Sequence, residues 1–298
     1  MIDLFVNIAL AVIMLGIGLS LTFKDFKNLF SKPKPIFVGF LSQIIVLPVL
    51  AFSISTISHL PDAMKVGIVI IAICPVGASS NLIVHLFRGN VALSISLTII
   101  NSLLTPITIP LITNFALRMF MNENADIQLS FWNSISQIGL NVLLPAFIGI
   151  LIRHYNHIFA KKLEKPLKYI LPLILGIVFT LKIFFGDENA SNSLTFRDVI
   201  EIAPYVLGLN IIGMFAGYYI ARWNRLARRY RLTIAIEVGL QNTALALLIA
   251  GNLLNNYTME KPILVYAMFT FFSALLFAWY FSRKPKQVTL IIDNNKTT

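Results

Sequence analysis

With 298 residues, 57% of them hydrophobic and only 12% charged, the chain holds about half the charge of a soluble domain, which excludes an ordinary soluble fold. Its net charge of +11 would suit nucleic acid, but the basic residues sit in short loops on alternate sides of apolar blocks. That is the signature of membrane topology, and no nucleic-acid partner is expected.

The apolar blocks recur at about the 20 residues that cross a bilayer and are too long and too uniformly apolar for barrel strands. The expected fold class is an all-α polytopic membrane protein. Nine transmembrane helices are predicted at about 3–22, 34–58, 63–87, 91–118, 129–153, 167–186, 198–221, 230–254 and 262–282. No linker or low-complexity segment divides residues 1–298, which read as a single domain. The single cysteine, Cys74, excludes an intramolecular disulfide framework and reads as a buried, inert thiol.

In the first block, Asp3 precedes the apolar run and Lys24 and Lys27 follow it. A cleaved secretory signal has the reverse order, so this block reads as a retained helix. Placing the N-terminus outside and the C-terminus inside puts most of the 24 Lys and Arg in inner loops and the inner tail. Lys65, Arg118, Arg197 and Lys261 remain outside, and Lys182 falls within a span. The arginines between 222 and 231 read as a topology determinant, with anionic lipid as a second reading.

The second span holds Gln43, followed by Pro48. A lone glutamine in a membrane helix ordinarily serves as interhelical glue. In the third span Pro75 removes a backbone donor, Gly77 loosens the chain, and Ser79, Ser80 and Asn81 add polar groups at membrane depth. These residues predict a broken helix, tolerable only against protein or a wet cavity. His85, beside Arg88, reads as interfacial. Ser94, Thr98, Asn101 and Thr105 in the fourth span recur on one helical face and must avoid lipid. Gln137, Asn141 and Asn210 are read as glue.

The eighth span contains Glu237, the one carboxylate expected deep in the bilayer, where a charge by default marks an ion or substrate path. Val238-Gly239-Leu240-Gln241-Asn242 follows and predicts a second break. Val76-Gly77, Asn81 and Gly89-Asn90 are echoed by Val238-Gly239, Asn242 and Gly251-Asn252. The offset is about 160 residues, an odd number of spans, so the second copy would be inverted, as in secondary transporters. One carboxylate among many neutral oxygens, with no Cys/His cluster, suits an alkali cation. The N-termini of the half-helices would favour an anionic group nearby.

These two segments resemble the bile acid:sodium symporter family. Glu237-Val238-Gly239-Leu240-Gln241-Asn242 is similar to the family's E-V-G-x-Q-N segment. Cys74-Pro75-Val76-Gly77-Ala78-Ser79-Ser80-Asn81, with Arg88-Gly89-Asn90-Val91-Ala92-Leu93-Ser94, is similar to its other crossover helix and the span after it. The resemblance runs from about residue 4 to 282 and implies core and panel domains with two discontinuous helices crossing in the core. Bacterial members commonly have ten helices in two inverted repeats, and this chain reads as starting at the second.

The resemblance implies two sodium ions and no enzymatic activity. One ion would lie among Ser80, Asn81, Ser94, Thr98 and Glu237. The other would lie among Gln43, Glu237, Gln241 and the backbone carbonyls of Val238 and Leu240. A small organic anion would contact Asn242, Ala78 and Ser79. The implied activity is sodium-coupled symport of a bile-acid-like or smaller organic acid by alternating access, in the bacterial inner membrane and in contact with its lipid. Val76 and Ala78 stand where relatives often have glycine and threonine. The last span offers only Thr270 and Ser273 where some relatives have histidine and asparagine, which argues for a substrate other than a bile acid. A proton-coupled or facilitative carrier, with Glu237 as the proton site, is the alternative.

Overall fold

In a bilayer every backbone polar group must be satisfied within the protein, and this chain does so with helices. The computed structural model describes residues 2–22, 32–77, 79–121, 130–163, 166 and 194–282. The helices are α1 (Ile2–Ser20), α2 (Pro33–Ile57), α3 (Asp62–Ile73), α4 (Ser79–Leu86) and α5 (Val91–Met121). They continue as α6, from Phe131–Ile138 through Gly139–Leu143 to Leu144–Tyr155, then α7 (Phe196–Trp223), α8 (Arg228–Gly239), α9 (Thr243–Leu253) and α10 (Tyr257–Ser282). Among the described residues five helices, α2, α5, α6, α7 and α10, are long and apolar enough to span a membrane. The span predicted at 167–186 lies outside the described residues.

Two predicted spans are each divided. The third is split into α3 and α4 and the eighth into α8 and α9, at the positions the sequence marks. α2 and α6 stay continuous, but each widens into a π-turn, at Ser42–Val46 and Gly139–Leu143. Pro48 and Pro145 follow these turns. A proline has no N–H to bond the carbonyl four residues back, and its ring pushes that carbonyl outward, so the helix widens there. α10 starts at Tyr257, ahead of the predicted 262, because Asn256 caps it by accepting from the amides of Thr258 and Met259 at 3.1 and 3.3 Å.

The burial pattern separates lipid-facing from protein-facing surfaces. On α5, Leu103, Ile107, Leu111, Phe115 and Met119 form an exposed apolar stripe, while Ser94, Thr98 and Thr105 are buried. By contrast α8 from Leu232 onward and nearly all of α9 are buried on every side. These divided helices therefore lie at the centre of the bundle. α8 packs on α7, α3 packs on α10 and α5, and α1 packs on α6. The last pair touches backbone to backbone: a Cβ at Gly18 would fall 2.0 Å from the Ala146 carbonyl oxygen, the close approach that small residues permit in membranes.

At one end of the bundle, Thr195 and Asp198 form a capping box at the start of α7. Asp198 also accepts from Lys261 at 2.9 Å, tying the starts of α7 and α10 together.

Candidate cation site at the helix crossing

A helix interrupted inside a bundle leaves amides and carbonyls without partners. Here the two interruptions satisfy each other. The Gly77 amide donates to the Leu240 carbonyl at 2.9 Å, and the Asn242 amide donates to the Pro75 carbonyl at 2.8 Å. Val76 and Gln241 thus pair as an isolated antiparallel bridge. A Cβ on Gly77 would lie 3.2 Å from the Gln241 carbonyl oxygen, so the strands cross at close range. Asn242 caps α9 by accepting from the Leu245 amide at 3.1 Å. Its side-chain nitrogen is buried and unpartnered.

Glu237 occupies the last turn of α8 and is wholly buried. Its Oε1 lies 2.5 Å from the Ser94 hydroxyl, which is also 2.7 Å from Asn81 Oδ1. A hydroxyl has one hydrogen and can donate to only one of these two acceptors. Glu237 Oε2 is buried with no partner, as is the Ser80 hydroxyl. Ser80 and Thr98 both adjoin the carboxylate without making a well-aligned hydrogen bond to it. Thr98 instead donates to the Ser94 carbonyl at 3.0 Å, which leaves its oxygen free to accept.

The first set predicted from sequence, Ser80, Asn81, Ser94, Thr98 and Glu237, is therefore gathered at one point. Its surplus of acceptor oxygens and its orphaned carboxylate oxygen fit a hard cation, since an unpaired buried polar group is otherwise costly. The donors gathered here are one carboxylate and neutral oxygens, which are hard ligands; among the described residues no group of three His, Cys, Asp or Glu could hold a metal.

The second set surrounds the same turn from its other side. Gln43, projected by the π-turn of α2, donates through Nε2 to the Glu237 carbonyl at 3.0 Å. Gln241 Nε2 donates to the Val238 carbonyl at 2.7 Å and to the Glu237 carbonyl at 3.3 Å. The Leu240 carbonyl accepts from Gly77 in the bridge. Both glutamines thus present nitrogen to the carbonyls, and a half-turn of each amide would present oxygen instead. Asn101, placed by the sequence on the polar face of α5, donates to Gln43 Oε1 and fixes its present orientation. Of the substrate residues expected from sequence, Asn242 lies in the crossing and Ser79 is half-buried at the start of α4. Ala78 lies outside the described residues.

Sequence reasoning named Asn210, Thr270 and Ser273 singly but missed that they join Tyr266 in a cluster on the far side of the second break. The Gly239 carbonyl accepts from Asn210 Nδ2 and the Tyr266 hydroxyl at 2.6 Å each, and from the Thr270 hydroxyl at 2.9 Å. Ser273 donates to Asn210 Oδ1 at 2.6 Å. Tyr266, Thr270 and Ser273 stand on one face of α10, and that helical spacing was the available signal.

Comparison with known proteins places the chain in a family. Residues 7–193 match the profile of the family described as the sodium bile acid symporter family. That stretch holds the first break and the α5 stripe and ends ahead of Glu237. The chain is similar to "uncharacterized sodium-dependent transporter YocS" of Bacillus subtilis, 31% identical over 285 residues, which cover 95% of this chain and 84% of the relative. It is also similar to "probable sodium/metabolite cotransporter BASS1, chloroplastic" of Arabidopsis thaliana, 32% identical over 256 residues, covering 86% of this chain and 61% of the relative. The rice protein of the same name is 30% identical over 250 residues, covering 84% of this chain and 59% of that relative. The chain thus spans about three fifths of these two plant relatives.

Proposed function

The chain belongs to the sodium bile acid symporter family, whose members are sodium-coupled transporters and not enzymes, and from that premise we propose that it couples sodium entry to uptake of an organic anion by alternating access. The observation behind this reading is the wholly buried Glu237, one oxygen against Ser94 and the other unpaired, at the crossing of two broken helices.

In this reading two sodium ions share Glu237. One lies among Ser80, Asn81, Ser94 and Thr98. The other lies against the Val238 and Leu240 carbonyls after Gln43 and Gln241 have turned their oxygens inward. The organic anion sits beside the crossing, against Asn242 and the first residues of α4, Ala78 and Ser79. The apolar Val76 and Ala78 there, and a last span that offers only Thr270 and Ser273 as small polar groups where some relatives have histidine and asparagine, favour a small organic acid over a bile acid. Bound sodium orders the crossing for the anion, and by linkage the anion tightens sodium by the same factor.

The reciprocal bonds of the two breaks suit an inverted repeat with nine spans and a core and panel arrangement. The charge census favours an outside N-terminus and an inside C-terminus, and a bacterial inner membrane is the proposed location of this multi-pass protein.

Uptake of organic acids by reconstituted vesicles tests the reading. A sodium gradient should drive accumulation, and Glu237→Gln should abolish it. The close Ser94–Glu237 contact suits a second reading, in which Glu237 carries a proton. Equal uptake driven by a pH gradient in sodium-free buffer would select it.

A further inference from the structure

α4 ends, α8 begins and α10 ends at one face of the molecule, and between them lies a cavity of about 560 Å³, within the roughly 300–1,000 Å³ of small-ligand sites. Arg88 comes from the turn after α4, and Arg228 and Arg229 come from the first turn of α8. Leu86, Phe87 and Leu232 supply the apolar wall.

Arg228 is anchored, because its guanidinium donates to the Phe281 carbonyl at the end of α10. Arg88 and Arg229 are not. Among the described residues no carboxylate pairs with either side chain. Asp62, Asp198 and Glu260 begin α3, α7 and α10 at the opposite end of the bundle, and Glu237 is buried at its centre. Two guanidinium groups with no carboxylate partner among the described residues, on the rim of a concavity, form a fork suited to phosphate oxygens.

The surroundings indicate where that phosphate comes from. Trp223 at the end of α7 is 78% exposed, and Trp279 and Tyr280 near the end of α10 are 48% and 66% exposed. Aromatic residues of this kind mark the level of lipid headgroups. Leu82 and Leu86, one turn apart on α4, are also exposed beside the cavity and offer a path for an acyl chain.

We propose that this cavity binds the phosphate headgroup of an anionic phospholipid, gripped by Arg88 and Arg229 against the wall that Arg228 makes. The site is separate from the helix crossing and does not depend on sodium coupling.

Native mass spectrometry of the detergent-purified full chain tests it, with titrations of dioleoyl phosphatidylglycerol, dioleoyl phosphatidylcholine and inorganic phosphate. Phosphatidylglycerol should bind more tightly than phosphatidylcholine. Arg88→Gln with Arg229→Gln should weaken it about 30-fold, the effect of two charges near a membrane surface. Arg222→Gln, an exposed arginine outside the cavity, should leave it unchanged. The double lysine variant, which keeps the charges and loses the forks, should fall between wild type and the glutamine pair and serves if the latter does not fold. Equal binding of the two lipids, or undiminished phosphatidylglycerol binding in the double variants, would overturn the proposal. So would displacement of phosphatidylglycerol by an equal concentration of inorganic phosphate, which would assign the cavity to a soluble anion.

Discussion

The α3–α4 break is written into its own backbone, whereas the α8–α9 break is held open by its neighbours. In the first, Pro75 removes a donor and Gly77 admits a close crossing strand. The second contains no proline. There the carbonyls of Glu237, Val238, Gly239 and Leu240 each accept from outside their own helix or from Gln241, and Gly239 alone takes donors from both α7 and α10. One interruption is local and the other is tertiary. The tertiary one carries the carboxylate, so the element that would sense an ion is also the element that depends most on its surroundings.

Substitutions can break or sharpen this contrast. Glu237→Gln should have the largest effect, reducing sodium-driven uptake by about 100-fold or more, the scale of a buried charged hydrogen bond, with little effect on the first break. Ser94→Ala combined with Thr98→Ala should raise the sodium concentration for half-maximal uptake about 10-fold without lowering expression. Asn210→Leu removes one of three donors from the Gly239 carbonyl and should destabilise the purified protein by about 2 kcal/mol in thermal unfolding. Pro75→Ala should cost under about 1 kcal/mol, because the Gly77–Leu240 and Asn242–Pro75 bonds run through backbone atoms. A loss from Asn210→Leu no larger than that from Pro75→Ala would mean that the second break does not lean on its neighbours' donors.

That distinction also sets what the sequence could reveal. Pro75, Gly77, the lone Glu237 and the Ser94–Thr98 face are local signals, and the structure brings them together as expected. The π-turn that aims Gln43 was not foreseen, although Pro48 announces it. The clamp on Gly239 was hidden because its donors lie 27 to 31 residues away in the chain. A tyrosine in a membrane span looks the same whether it faces a neighbour or a headgroup. Asn210 was read as interhelical glue and Asn101 as part of a face that avoids lipid, but no pattern in the sequence identified their partners, Gly239 and Gln43. The cavity at the arginine end likewise needed the ends of three helices to be placed together.

Thermal unfolding of the purified protein in sodium against matched potassium tests most directly whether Glu237 holds sodium at the crossing. A ligand that binds only the folded state raises its stability. If Glu237 holds sodium, then sodium, and not potassium, should raise the melting temperature of the wild type, and Glu237→Gln should abolish the difference. The same sodium-specific rise in both proteins would contradict it.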